Sequence, residues 1–281
     1  MTAEAVAPDQ GAPGPAPDQA PPGPRPAGET ILAARELSKS FDGFQAVRRV
    51  SFHVNSREIV GLIGPNGAGK TTLFNIVSRY MPADTGTIQF KGEAVEKLPA
   101  HQLARRGLVR TFQISRVFSR MTVLENLCFA AADQYGEALW QAFFSPRRMR
   151  AKERELRQRA REMLQYFRLG HMADQYAGSL SGGQRKLLEM ARALMTEPDM
   201  LLLDEPMAGV NPALKEQLLE HILDLRSRGL TFLIVEHDMD MIMRISDRII
   251  AMAHGEVVAQ GEPAAVARDP RVVDAYLGAS S

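Results

Sequence analysis

The chain has 281 residues, 45% of them hydrophobic, enough to bury one substantial core or one core with a smaller appended lobe. Its 34 basic and 33 acidic side chains nearly cancel, so no overall field draws it to nucleic acid, and a charged partner has to be met locally. The lone cysteine, Cys128, cannot close an intramolecular disulfide and reads as packing in a reducing cytosol, and the longest apolar runs fall far short of the roughly 18 residues of a membrane span.

In chain order, residues 1–28 hold 8 of the 17 prolines and repeat APDQ at Ala7–Gln10 and Ala16–Gln19, with almost no large apolar side chain to drive collapse. A disordered tail is expected. It has no apolar h-region and Arg25 is its only basic residue, so it matches neither a secretory signal nor a transit peptide. The folded domain is expected over residues 29–281.

Ile31 to Val54 is strand-like with a turn at Asp42-Gly43, and Thr87 to Val95 reads as a hairpin around Lys91-Gly92, predicting a small antiparallel sheet. Glu58 to Ile63 is a short apolar run leading into a glycine-rich loop, and Thr71 to Tyr80 then reads as a helix stopped before Pro82. From about Pro99 to Leu180 strand signals fade. There Arg147 to Arg168 is charged, with Leu156, Met163, Leu164 and Phe167 at helical spacing, predicting an inserted helical lobe. Met200 to Leu203 and Phe232 to Val235 then read as buried parallel strands, separated by a helix with Asn211 at its cap, Pro212 at its first position and Gly229 at its end. The fold class is α/β.

Three motifs carry chemistry. Gly64, Gly69, Lys70 and Thr71 satisfy GxxxxGK[ST], in which backbone N–H groups wrap phosphate oxygens, Lys70 neutralises their charge and the Thr71 hydroxyl can coordinate Mg²⁺. A helix opening at Lys70 or Thr71 adds unpaired N–H donors and the positive end of its dipole. MLLLDE (Met200–Glu205) places Asp204 and Glu205 at the carboxyl end of a buried strand, where doubly wound sheets put their ligands. Asp204 would hold Mg²⁺, directly or through water, and Glu205 would orient and polarise the attacking water. His237, at the end of the next strand, would face the γ-phosphate, although a histidine so placed also reads as structural when taken alone. LSGGQ (Leu180–Gln184) precedes a helix over Arg185 to Met195, so Ser181, Gly182, Gly183 and Gln184 form a second phosphate-binding helix start. One nucleotide per phosphate loop leaves that start unused within one chain, and two composite sites across a two-fold dimer would use it.

In order, Gly64–Thr71, Gln113, Leu180–Gln184, Met200–Glu205 and His237 resemble the defining motifs of ABC-transporter nucleotide-binding domains, over Glu29 to about Gly278. That resemblance implies a RecA-like P-loop NTPase core with an antiparallel β subdomain and an α-helical subdomain inserted at about residues 99–180. It also implies ATP and Mg²⁺ as ligands, held by Pro65, Asn66, Gly67, Ala68 and Thr72 beside the motif residues already named. By the same likeness Phe41 stacks on adenine with Val47 beside it, and Gln113 links Mg²⁺ and the γ-phosphate to the helical lobe. Phe41 taken alone also reads as core. The SALD-like segment of the family is Ala208, Gly209, Val210 and Asn211 here, a departure that bears on cross-dimer contact.

RTFQ (Arg110–Gln113), MTVLENL (Met121–Leu127), DEPMAGVNP (Asp204–Pro212), VEHDM (Val235–Met239) and DAYLG (Asp274–Gly278) are similar to the ATP-binding subunits of branched-chain amino-acid importers. The insertion at about Gln134 to Arg161 resembles the one of their two ATPase subunits with the larger helical lobe. This likeness implies a paralogous ATPase partner or a homodimer, two permeases, an extracytoplasmic solute-binding protein, and a peripheral place on the cytoplasmic face of the membrane. Urea or amide uptake, or export of a solute such as lipid, are the alternatives within the family. A soluble ABC ATPase of translation or DNA repair would show two cassettes or a long coiled coil, and a GTPase would show [NT]KxD; the sequence has none of these. Arg147 to Arg161 carries eight basic and two acidic residues, a solvated helix face that could also favour an anionic leaflet.

Overall fold

A computed structural model describes residues 27–111, 117–132 and 146–277. Most of the proline-rich tail, Gln113 and the first part of the insertion lie outside the described residues.

Two sheets share the chain. The smaller is antiparallel, in the order β2-β1-β4-β5, from β1 (Thr30–Phe41), β2 (Phe44–Asn55), β4 (Thr85–Phe90) and β5 (Glu93–Ala94). The two expected turns join its hairpins: Phe41 faces Phe44 across Asp42-Gly43, and Phe90 faces Glu93 across Lys91-Gly92. The larger sheet runs β10-β9-β3-β8-β7-β6, built from β3 (Ile59–Ile63), β6 (Leu108–Arg110), β7 (Met200–Asp204), β8 (Thr231–Val235), β9 (Arg248–Ala253) and β10 (Glu256–Gly261). Its strands are parallel except for the β9–β10 hairpin at the edge.

The continuous apolar runs follow from burial on both faces. Leu201, Leu203, Phe232 and Ile234 enter one core cluster, while Met200, Leu202, Leu233 and Val235 enter the other. The second cluster also takes Leu73, Phe74, Ile76 and Val77 of α1 (Lys70–Val77), together with the inner face of the small sheet. Helix α1 ends earlier than its apolar pattern predicts: the Asn75 carbonyl accepts from the amides of both Tyr80 and Met81, which turns the chain out before Pro82.

After α2 (Ala100–Arg105) the chain forms β6, a strand that the sequence pattern does not predict. Leu108, Val109 and Arg110 pair with Met200, Leu201 and Leu202, so the start of the expected helical insertion belongs to the core sheet. Three residues are too few to show a period. The lobe itself consists of α3 (Val123–Ala132), α4 (Pro146–Tyr166) and the packing face of α5 (Gly182–Leu194). The core resumes with α6 (Pro212–Ser227) and α7 (Met239–Ile245), and closes on α8 (Pro263–Ala267) and α9 (Pro270–Leu277). Asn211 caps α6, its side chain accepting from the Leu214 amide, and Pro212 stands first, as expected.

At the end of α4 the lobe is tied to α6. The Tyr166 hydroxyl donates to Asp224 at 2.5 Å, and the Phe167 and His221 rings lie 4.6 Å apart.

Candidate nucleotide site

Strand β3 delivers its last residue, Ile63, directly into the loop Gly64–Gly69, and α1 opens at Lys70. Two glycines are obligatory for different reasons. Gly69 is the left-handed residue before the helix, with φ +96, and a Cβ there would lie 2.2 Å from the Ala46 carbonyl oxygen. At Gly64 a Cβ would lie 2.2 Å from the Met252 carbonyl oxygen, so the loop can sit against β9 only without a side chain. Asn66 and Gly67 are exposed at the loop's tip, while Ala68 is buried, its carbonyl accepting from the Gly255 amide at 3.1 Å.

Lys70 is buried and folded back on its own loop, donating to Gly64 O at 2.6 Å and Pro65 O at 3.0 Å. Burial lowers its pKa, and the negative charge of Glu205 opposes that shift. A lysine so placed is a charge the loop already holds at its centre. Thr71 is exposed and Thr72 half-buried on the first turn of α1.

The carboxyl ends of β7 and β8 meet this loop. Asp204, the last residue of β7, is 3% exposed and pairs with Arg110 of β6 at 2.9 Å. Glu205 follows with φ +47, a left-handed backbone that a non-glycine residue holds only when its surroundings enforce it. Its N–H donates to Val235 O at 2.9 Å, and Lys186 of α5 donates to its carbonyl at 3.3 Å. The result places Glu205 Oε1 3.0 Å from His237 Nε2. The structure therefore brings Lys70, Asp204, Glu205 and His237 to one edge of the sheet.

Two neighbours of these residues carry no chemistry that the sequence alone assigns. Glu236 is 5% exposed, and its two oxygens accept from the amides of Met207 at 2.8 Å and His237 at 3.0 Å. It bolts the segment after Glu205 to the segment bearing His237. The available signal is a carboxylate immediately after the buried run Thr231–Val235. Tyr276 of α9 reaches back with its hydroxyl 3.6 Å from Met239 Sδ, and the Gly64 amide hydrogen-bonds to it, offsetting part of the pKa rise that burial causes.

Phe41 ends β1 with 41% exposure, available for stacking, and Lys39 already stands over its ring at 5.7 Å. Val47, expected beside it, has no exposed surface: it is packed in the core between the sheets and offers no face to a nucleotide.

The signature sequence forms a helix start earlier than expected, at Gly182. Ser181 is the N-cap, its hydroxyl accepting from the Gln184 amide at 3.2 Å, while the Gln184 side chain accepts from the Ser181 amide at 2.9 Å. Ser181 and Gly182 are exposed, whereas Gly183 is buried against α6, where a Cβ would lie 1.9 Å from Leu214 Cδ2. Gly183 thus serves packing, and the exposed part of this helix start is the Ser181 cap and Gly182.

A divalent ion would find Thr71 and Asp204 as oxygen donors. Among the described residues no cluster of three or more His, Cys, Asp or Glu could enclose a metal. A small set of hard oxygen ligands completed by phosphates suits Mg²⁺.

Comparison with known proteins matches residues 47–208 to the ABC transporter family and residues 256–280 to the branched-chain amino acid ATP-binding cassette transporter family. A probable branched-chain amino acid transport ATP-binding protein, LivG of Archaeoglobus fulgidus, is 44% identical over 249 residues, covering 89% of this chain and 96% of its own. The high-affinity LivG of Escherichia coli K12 is 40% identical, covering 89% and 98%. The crystal structure of a nucleotide-free ATP-binding cassette from an ABC transporter superposes with a TM-score of 0.77 at 38% identity, covering 88% of this chain and 98% of that one. A cassette in its ADP conformation gives 0.76 at 37% identity, covering 89% and 99%. The chain belongs to the ABC transporter ATPases, as an ATP-binding, ATP-hydrolysing subunit of the branched-chain amino acid transport type.

Proposed function

We propose that the edge where β7 and β8 meet the phosphate loop hydrolyses ATP by a division of labour among its side chains, carried by the approach of Glu205 to His237. Phe41 stacks on the adenine. The amides of Gly64–Thr72 and the ammonium of Lys70 hold the phosphates, with the α1 dipole behind them. Thr71 and Asp204 are the chain's ligands for Mg²⁺, which neutralises phosphate charge when bound; Gln113 joins them by family resemblance. Glu205 orients the attacking water and His237 meets the γ-phosphate side of the site, which is positioning and electrostatics with little covalent chemistry for the protein to do.

The exposed cap at Ser181 and Gly182 completes the site of a second ATPase subunit, and that subunit's equivalent segment completes this one. Phe118 and Phe129 support a permease contact: both are exposed large aromatics on the lobe, packed edge to face at 4.9 Å just after the Gln113 segment. Two permeases take that surface, fed by an extracytoplasmic solute-binding protein, with branched-chain amino acids as the cargo. No helix among the described residues is long and apolar enough to cross a membrane, which fits a subunit held on the cytoplasmic face by those partners.

Glu205→Gln tests the reading. Steady-state phosphate release by the assembled transporter should fall at least about 10²-fold, the scale of a lost transition-state contact, while ATP binding persists. Wild-type turnover in that variant would falsify the role given to Glu205.

A further inference from the structure

Asp204 is 3% exposed, and a carboxylate so far from water needs a compensating charge. Lys70 is not the one in contact, since its ammonium is bonded to Gly64 O and Pro65 O. The charge comes from Arg110, whose Nη2 donates to Asp204 Oδ2 at 2.9 Å.

The guanidinium does not depend on Asp204 for its place. Its Nη1 donates to Asn75 Oδ1 at 2.6 Å and to Ser78 Oγ at 3.0 Å. Its plane lies over the Phe74 ring at 4.8 Å and the Tyr80 ring at 5.2 Å. All four anchors come from α1 and the turn after it, the element the phosphate loop opens. Arg110 Nε is buried without a hydrogen-bond partner, so the cation is only partly compensated where it is held.

We propose that Arg110 is a fixed competitor for Asp204, sharing that carboxylate with the divalent ion so that metal is accepted only together with nucleotide phosphates. This rests on the reading of Asp204 as the metal-side carboxylate. A guanidinium bonded to one side of the carboxylate repels a second cation arriving there, and the repulsion doubles for a divalent ion. Phosphates bring the negative charge that reverses the balance. Arginine suits the task because its planar fork and weak hydration let it remain buried, stacked and charged throughout.

The test uses Mn²⁺ as the probe, with free Mn²⁺ followed by electron paramagnetic resonance during titration of the purified chain, with and without ADP. The wild-type chain should take up Mn²⁺ appreciably only when ADP is present. Arg110→Met should tighten Mn²⁺ binding in the ADP complex by at least about threefold, from the loss of a like charge near the metal. ADP binding in EDTA should stay as in wild type, and Arg110→Lys should keep the wild-type Mn²⁺ curve. Should the methionine variant fail to fold, Arg110→Gln, which retains a donor for Asn75, carries the same comparison. An unchanged or weakened Mn²⁺ curve in the neutral variants, with Asp204→Asn impaired, overturns this inference alone. An Asp204→Asn variant that binds Mn²⁺ and ADP like wild type overturns the metal reading of Asp204 and this inference with it.

Discussion

The two helix starts that the sequence reads as phosphate sites, at Lys70 and at Gly182, offer the same backbone chemistry but are built in opposite ways. At the first, a buried lysine, a buried aspartate, a strained glutamate and a buried carboxylate at Glu236 are braced by the chain's own amides and by Arg110. At the second, the polar partners of Ser181 and Gln184 are each other, and the exposed surface is a serine and a glycine. One site holds charge and reactive groups in advance; the other is a terminus finished by what is brought to it. On the function proposed above, the difference lets ATP binding belong to one chain and hydrolysis to a pair.

Placing bulk and charge on the exposed cap separates the two roles most sharply. Ser181→Arg should leave ATP affinity of the isolated chain unchanged in equilibrium binding, because the cis loop is intact. Hydrolysis by the assembled transporter should drop about 10²-fold or more, as for loss of an anion-stabilising donor. Weakened ATP binding by the isolated chain would show that the cap serves the cis site, and the contrast would collapse.

Loosening the bracing of the first site is the next largest effect. Glu236→Ala leaves the buried Met207 amide without its acceptor, at a cost of about 1–3 kcal/mol at most, and frees the half-buried His237 amide for less. Chemical denaturation should register that loss. The same variant should lower kcat several-fold, the order expected when a supporting group is lost around a reacting pair, with ATP affinity retained. Glu236→Gln, which keeps one oxygen acceptor, should recover part of both. Equal kcat in the wild-type and alanine chains would mean that the two segments hold their geometry without Glu236.

The same contrast explains how much of the molecule is legible in its sequence. The phosphate loop, MLLLDE and LSGGQ are runs of adjacent residues whose chemistry is carried by backbone and side chains in one place, so a sequence displays them whole. The hairpins at Asp42-Gly43 and Lys91-Gly92 are equally plain, because each turn sits between strand-like runs. Arg110 cannot be read this way: its partners Asn75, Ser78 and Asp204 are 32 to 94 residues distant, and the strand that positions it has three residues. Val47, placed beside Phe41 by the family likeness, is instead buried where the two sheets pack together, a contact that no local pattern displays. The signature helix starts at Gly182 because Ser181 and Gln184 close a capping box, a pattern present in the sequence. Glycine's poor helix propensity obscures it, and tertiary packing against Leu214 overrides that propensity at Gly183.

The smallest expected effect tests the tie between the lobe and the core. His221 on α6 is buried against Tyr166 and Phe167, with ring centroids at 4.7 and 4.6 Å, and it meets Arg168, Glu220 and Asp224 electrostatically. Burial, reinforced by Arg168, holds its pKa below the ordinary 6.5, so the folded chain favours the neutral ring. The unfolded chain then binds the proton more readily. Stability is therefore complete above pH 6.5 and declines as pH falls from there toward the folded value, with a slope of at most about 1.4 kcal/mol per pH unit for one proton. Asp224 does not confuse this window: its carboxyl is held below 3.8, first by the hydrogen bond from Tyr166. His221→Phe keeps the ring packing and removes the titrating nitrogen. Urea midpoints at about pH 7.5 and 5.5 should differ less in that variant than in wild type. Equal differences in the two proteins would place the acid sensitivity elsewhere and leave the α4–α6 tie a matter of packing alone.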